Sequence, residues 1–376
     1  MPTKLKNIGV SEANFSQAEE EALLRVIRSG WVSQGEHVER FEKKFAKAHQ
    51  VNEAIAVSNC TAGLHMTLAA LGIGTNDEVL IPGLTFVATP NAALYCGAHP
   101  IPVDIESLTS PHICLKSAKG ALTPKTKAVI VMHHAGYLID CKTWREFANE
   151  HNLILIEDAA HIPGIQGVGK HSHAAVYSFF ANKNMTSAEG GMITTEDSEL
   201  AHRLRALRGH AMTATTLTRA RGHAFSYDVT ELGYNYRMDE LRAAIGIVQL
   251  EKLHANNTRR GELTSLYRKL LIENIPDILI PFSPSHPSAW HIMPVILPKD
   301  RERQNLMKSL REDRIQTSIH YPPWHQFTHH RQLLGNISLP KVEEYCKRTL
   351  TLPLHPGLDD NDIIRIIQAL KKAFQE

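Results

Sequence analysis

The chain has 376 residues, of which 43% are apolar and 21% charged, and it carries a formal net charge of +2. That length permits two domains with cores of their own, while the small charge gives no ground for a nucleic-acid or anionic-membrane partner and no apolar run approaches the roughly 18 residues of a membrane span. Five scattered cysteines without a CxxC pair read as reduced thiols, and without a signal-peptide pattern the expected location is cytoplasmic.

Helical spacing of apolar residues covers 19–27; Ser29, Gly30 and Trp31 interrupt it, and a second, charged helix is expected over 37–48. An apolar strand at 54–57 passes through Ser58, Asn59, Cys60 and Thr61 into an apolar helix at 62–71 that Gly72 ends. The strand, turn, helix unit recurs: a strand at 78–81 with a helix near 89–96, a strand at 127–131 with a helix near 144–151, and a strand at 153–156 leading into a turn at 159–164. This alternation predicts an α/β fold with a mostly parallel sheet covered on both faces, whose ligands gather at the carboxyl ends of the strands. A long helix over 239–253, with Leu241, Ala244, Ile245, Val248 and Leu253 on one stripe, closes an expected large domain of residues 1–255. Residues 256–376 read as a smaller α+β domain. It holds a helix at 262–274, a Pro-rich stretch at 275–287, a strand at 291–297, a helix at 303–312, a loop with Pro322 and Pro323, and a terminal helix at 362–374.

The chemistry concentrates at one sheet edge. Asp158 closes the strand that begins near 153, and downstream of it Lys183 lies in the run Tyr177, Ser178, Phe179, Phe180, Ala181, Asn182, Lys183, Asn184, which ends in Glu189, Gly190 and Gly191. Pyridoxal phosphate chemistry needs such a set: a lysine for the Schiff base, a carboxylate to keep the pyridine nitrogen protonated, and small polar groups for the phosphate. Each residue alone also has a plainer reading. Asp158 fits a helix cap, and Lys183 a solvated charge like Lys170, although it has no charged neighbour before Glu189 and burial would favour its free amine. Thr61 and Ala62 offer helix-start amides to an anion, or an ordinary N-cap. Ser178 offers its hydroxyl to a phosphate or to a strand partner, Phe86 stacks on a flat ring or packs the core, and His161 holds a phenolic oxygen or sits in a surface turn. The pairs His133, His134 and His329, His330 read as structural or substrate-facing, because sequence neighbours rarely share one ligand sphere; no metal is expected. A nicotinamide enzyme would need GxGxxG after the first strand, which Gly164, Gly167 and Gly169 do not supply.

The runs Cys60 to His65, Pro82 to Asn91, Glu157 to His161, Ser178 to Gly191, and Gly233, Tyr234, Asn235, Tyr236, Arg237, Met238 resemble the DegT/DnrJ/EryC1/StrS family of sugar aminotransferases. The likeness extends from Ser29, Gly30, Trp31 to Leu352, Pro353, Leu354 in unbroken order. It implies the fold type I architecture of aspartate aminotransferase, pyridoxal 5'-phosphate as cofactor, a homodimer with active sites between subunits, and glutamate as amino donor. Carried over by position, it makes Lys183 the Schiff-base lysine, Asp158 the partner of the pyridine nitrogen, His161 the phenolic-oxygen contact and Phe86 the stacking ring. It places Thr61, Ala62 and Ser178 at the phosphate, with Asn235 reaching that phosphate from the other subunit. Ala188, Glu189, Gly190 and Ala289, Trp290, His291 look most like enzymes that aminate nucleotide-linked 4-keto-deoxy sugars for cell-surface polysaccharides or secondary metabolites. His134 departs from the tyrosine common in those enzymes. Trp31, His320 and Tyr321 are the substrate-contact candidates. A non-nucleotide keto sugar or a cyclitol ketone would suit the same core residues, and a non-catalytic sensor that keeps the fold is the reading from another class.

Overall fold

Short runs dense in Val and Ile, buried on both faces, form the strands at the centre of the molecule. In chain order these are β1 (Glu53–Val57), β2 (Glu78–Pro82), β3 (His99–Val103), β4 (Thr126–Met132), β5 (Ile154–Asp158), β6 (Ala174–Ser178) and β7 (Gly191–Thr195). They make one seven-stranded sheet ordered β1-β7-β6-β5-β4-β2-β3. β7 runs antiparallel to β1 and β6, and the remaining pairings are parallel, as expected for this α/β architecture. The structure, a computed structural model, describes residues 6–213, 222 and 226–375. β3 carries Pro100 and Pro102, which cannot donate to a ladder, and accordingly lies at a sheet edge.

Helices α1 (Gln17–Ser29), α2 (Glu36–His49), α3 (Cys60–Ala70), α4 (Ala88–Tyr95), α5 (Leu115–Gly120), α6 (Cys141–Glu150) and α7 (Ser198–Leu207) accompany the sheet. Most helix starts have a local cause. Ser16 and Glu19 form a capping box at α1, and the side chains of Asn59, Asp140 and Asp197 accept first-turn amides of α3, α6 and α7. Gly63 lets α3 lie close to the sheet, for a Cβ there would stand 2.7 Å from Val176 Cγ1.

The expected break between helices at 239–253 and 262–274 is absent. One 35-residue helix, α8 (Glu240–Asn274), spans both. Asn256 and Asn257 have weak helix propensity, yet here they are buried and partnered: Asn14 Nδ2 donates to Asn256 Oδ1 at 2.9 Å and Asn257 Nδ2 donates to Pro163 O at 2.9 Å. The tertiary bonds outweigh the propensity. Burial also exceeds the expected stripe. Ala244, with Leu241 and Val248, meets Ala22 and Val26 of α1, while Ala243, Ile247 and Leu253 enter the core that holds Phe41, Phe45 and Tyr177. Farther along, Leu263, Tyr267 and Leu271 join a second core built on the two-stranded pair β8 (Met293–Ile296) and β9 (Thr349–Leu352). The chain after α8 also forms α9 (Arg303–Glu312), α10 (Thr328–Leu334), α11 (Pro340–Arg348) and α12 (Asp360–Gln375). Because α8 contributes to both cores, we propose the division near residues 255 and 256 as a boundary of packing rather than of chain geometry. Among the described residues no helix is long and apolar enough to cross a membrane.

Candidate active site

Strand register brings the chemistry together. Met132 pairs with Asp158, Asp158 with Val176, Ser178 with Gly191, and Gly191 with Val57, so the ends of β4, β5, β6 and β1 and the beginning of β7 lie at one rim. A cavity of about 570 Å³ opens there, lined by Thr61, Phe86, Asp158, His161, Ser178, Lys183, His320 and Tyr321 among others. Eight sequence-predicted residues therefore converge from five segments of the chain. A second hollow of about 580 Å³ between α2 and α7 holds none of them. Four of its charges are already paired, Arg208 with Glu42 and Arg205 with Glu53 at 2.7 Å.

At the base of the cavity Asp158 accepts from Thr89 Oγ1 at 2.7 Å and from the Ala160 amide at 3.1 Å. Burial pushes its carboxyl up from the ordinary range, partly opposed by Thr89, the Ala160 amide and Lys183. A cation facing it would restore the ionised form. Thr89 escaped sequence reading, since a threonine early in a helix carries no signal for a partner more than sixty residues away. Lys183 sits on the irregular segment between β6 and β7, and its side chain makes no hydrogen bond or ion pair among the described residues. Burial brings its amine down to about 8, against the pull of Asp158 and Cys60, so about a tenth is uncharged at pH 7 and half near pH 8.

His161 is fully buried, its Nε2 lies 2.8 Å from the Tyr321 hydroxyl, and its Nδ1 has no partner in the chain. Burial, and then Lys183 and three other histidines, hold its ring well below the usual value, hence neutral. His320 falls to about 4, first through burial and then through Lys183, while its Nδ1 meets Thr351 Oγ1 at 3.0 Å. Phe86 presents a half-exposed ring 5.6 Å from that of Tyr321.

Three of the expected contact residues do not line this cavity. The helix start lies two residues earlier than expected, with Asn59 as its cap, and the Ala62 amide is engaged by Asn59 Oδ1 at 2.8 Å. This leaves Thr61, not Ala62, on the cavity wall. Trp31 is not at this cavity; its indole donates to Gln34 O at 3.3 Å. Asn235 is exposed and likewise outside the cavity of its own chain.

His133, Cys141 and Glu157 lie together on the other side of β5 with ligand-type atoms within 4.8 Å of one another. The Ile139 amide donates to His133 Nδ1 at 3.2 Å, so Nε2 carries the ring proton and donates to Glu157 Oε2 at 2.9 Å. That tautomer has no free lone pair for a metal, and the trio reads as a buried hydrogen-bonded strut. His134 reaches Tyr345 OH through Nε2 at 3.2 Å, and His330 meets Asn91 at 3.1 Å, both packing roles.

The cavity fits pyridoxal phosphate: a buried carboxyl at its base, a depressed amine on its wall, an aromatic ring at its mouth, and buried His161 Nδ1 and Asn182 Oδ1 without partners in the chain. Comparison with known proteins agrees. The model of the DegT/DnrJ/EryC1/StrS aminotransferase family matches residues 14–371. The chain is similar to S. venezuelae DesV, solved with a ketimine intermediate, at 31% identity and a TM-score of 0.86, covering 94% of this chain and 93% of that one. It is similar to Helicobacter pylori PseC, an aminotransferase of pseudoaminic acid biosynthesis, at 25% identity and a TM-score of 0.91, over 98% and 100%. It is also similar to the putative sugar aminotransferase Spr1654 from Streptococcus pneumoniae in its PMP form, at 25% identity and a TM-score of 0.90, over 98% and 99%. The protein is thus a pyridoxal-phosphate-dependent transaminase of fold type I, and the non-catalytic reading falls away. By its sequence, its sheet and the contents of this cavity, the chain belongs to the DegT/DnrJ/EryC1/StrS aminotransferase family.

Proposed function

We propose that the enzyme moves an amino group from glutamate to a keto sugar, most specifically a nucleotide-linked 4-keto-deoxy sugar. The observation that carries this reading is the depressed, unpartnered amine of Lys183 in one cavity with Asp158, in a family whose similar members include the pseudoaminic acid enzyme. When bound, pyridoxal phosphate supplies an electron sink for the carbon that carries the amine. Asp158 would face the pyridine nitrogen, His161 the phenolic oxygen, Phe86 one ring face, and Thr61 with Ser178 the phosphate. Lys183 Nζ would hold the cofactor and, as a free amine, would move the proton at the substrate carbon. His320 and Tyr321 meet the sugar. Tyr321 OH, within hydrogen-bond distance of His161, couples substrate position to the cofactor contact.

The site is finished by a second copy of the chain, which brings Asn235 to the phosphate. Leu232 beside it is 86% exposed and Tyr227 and Val229 are each 53% exposed, an apolar surface suited to burial in a dimer. The test loads the pyridoxamine form and offers a panel of keto sugars, with and without a nucleoside diphosphate, together with cyclitol ketones and simple keto acids. Return of the pyridoxal-form absorbance with nucleotide-linked keto sugars is the expected result. Return only with keto acids of amino acids removes the sugar assignment.

A further inference from the structure

Beside Lys183, Asn184 is buried and fully engaged. Its Nδ2 donates to Ala289 O at 2.6 Å and to Asn257 Oδ1 at 2.8 Å, and its Oδ1 lies 2.8 Å from His291 Nδ1. These partners fix every proton in the chain of bonds. Ala289 O and Pro163 O are carbonyls and only accept, so the amide nitrogens of Asn184 and Asn257 must point at them. Asn184 is then left with its oxygen toward His291, and His291 Nδ1 must carry the proton. Its Nε2 is a buried lone pair with no partner in the chain.

The same ring touches the rest of the site. His291 stands 4.2 Å, centroid to centroid, from His161. Its backbone amide bonds Ala135 O at 3.0 Å, in a turn where Gly136 adopts a φ of +90° and where a Cβ would meet His161 O and His291 N at 2.8 Å each. Arg260 Nη1 of α8 holds the His291 carbonyl at 3.0 Å. The charged and titratable groups around the ring are Lys183, Arg260, His320, His134 and His161, and around Lys183 they are Asp158, Cys60, His161 and His320. Every cation near His291 opposes a second positive charge, and burial does so first.

We propose that His291 is a positioning residue for Lys183: locked as the Nδ1–H tautomer by Asn184, it clamps the segment that presents the amine and keeps an uncharged ring beside it. This rests on the reading of Lys183 as the reacting amine. The clamp joins three elements, namely the lysine segment, the middle of α8 through Asn257, and the strand-like run that leads into β8.

The test has two independent parts. In wild-type protein labelled with ¹⁵N-imidazole histidine, the His291 ring is expected to show a protonated Nδ1 and a bare Nε2 across neutral pH; a protonated Nε2 overturns the proposal. In cofactor-free variants, the pH midpoint for modification of the Lys183 amine is read by peptide mass spectrometry after unfolding curves confirm the fold. His291→Phe keeps a ring and removes the donor, so the midpoint rises as water reaches the amine. On reloading, kcat falls roughly tenfold, about the cost of one hydrogen bond, with KM unchanged within about twofold. Asn184→Ala produces the same shift by removing the acceptor, and His291→Asn, which retains a donor at that position, restores the midpoint. A folded His291→Phe variant with the wild-type midpoint and kcat overturns the clamp. Borohydride trapping of the loaded wild type separates the two readings: an adduct away from Lys183 removes the parent assignment, whereas an adduct on Lys183 with an unmoved midpoint removes only the role of His291.

Discussion

In its proposed role Lys183 must lose a proton before it can attack a carbonyl carbon, and the cavity lowers that cost by withdrawing water from the amine. With the amine held at about 8 in place of 10.5, the free-base fraction rises through pH 8. In cofactor-free protein its rate of modification should therefore climb with a midpoint near 8; a midpoint above 10 would contradict the burial argument. Lys183→Ala should cost at least about a thousandfold in turnover, and retained activity would move the nucleophile elsewhere. Thr89→Val removes the hydroxyl donated to Asp158 and pushes that carboxyl still higher. Roughly a tenfold loss in cofactor affinity, read by absorbance titration, is the expected size for one hydrogen bond to a charge-bearing group. The proposed reactive pair stood out in sequence because a strand-end carboxylate and a lysine without charged neighbours are local patterns. Thr89 and the bonds of Asn184 and His291 did not, because each draws its role from a partner far along the chain.

At the scale of elements, α1 and α8 are joined by a buried charge. Burial of Glu19 works against its ionisation, but hydrogen bonds from Lys252, Gln249 and Ser16 prevail and bring it to about 2 from 4.5. The ionised form therefore stabilises the fold fully above about pH 4.5, and this contribution fades as pH falls toward 2. Discounted for the solvent that reaches Lys252, it amounts to about 2 kcal/mol. Glu19→Gln should lose that much in denaturant unfolding at pH 7 and converge with wild type near pH 2; a difference independent of pH would assign the stability to packing. Helices α1, α2 and α9 were readable within a few residues because their apolar spacing and caps are local. The unbroken course of α8 was not, since Asn256 and Asn257 favour a break until Asn14 and Pro163 supply partners. β9 was missed as well, for a four-residue strand becomes one only by pairing with β8.

Across the whole molecule the proposed dimer makes a sharp forecast. If Asn235 acts across the interface, a hybrid of Lys183→Ala and Asn235→Ala subunits contains one site with both defects and one with neither. Mixing and refolding the two weak variants should then restore activity toward half that of wild type per hybrid, while no gain on mixing would place Asn235 within its own site. The sequence by itself determined the alternation of strands and helices, the sheet edge that carries chemistry, and the lysine with its carboxylate, because periodicity, caps and strand ends are written in neighbouring residues. Only the tertiary structure decided that Thr61 and not Ala62 faces the cavity, that Trp31 lies apart from it, and that His291 has a single possible tautomer. The lining of the cavity depends on how distant segments pack, and the tautomer on hydrogen-bonding groups that meet across long stretches of chain, since a buried donor or acceptor takes whatever partner the packing delivers.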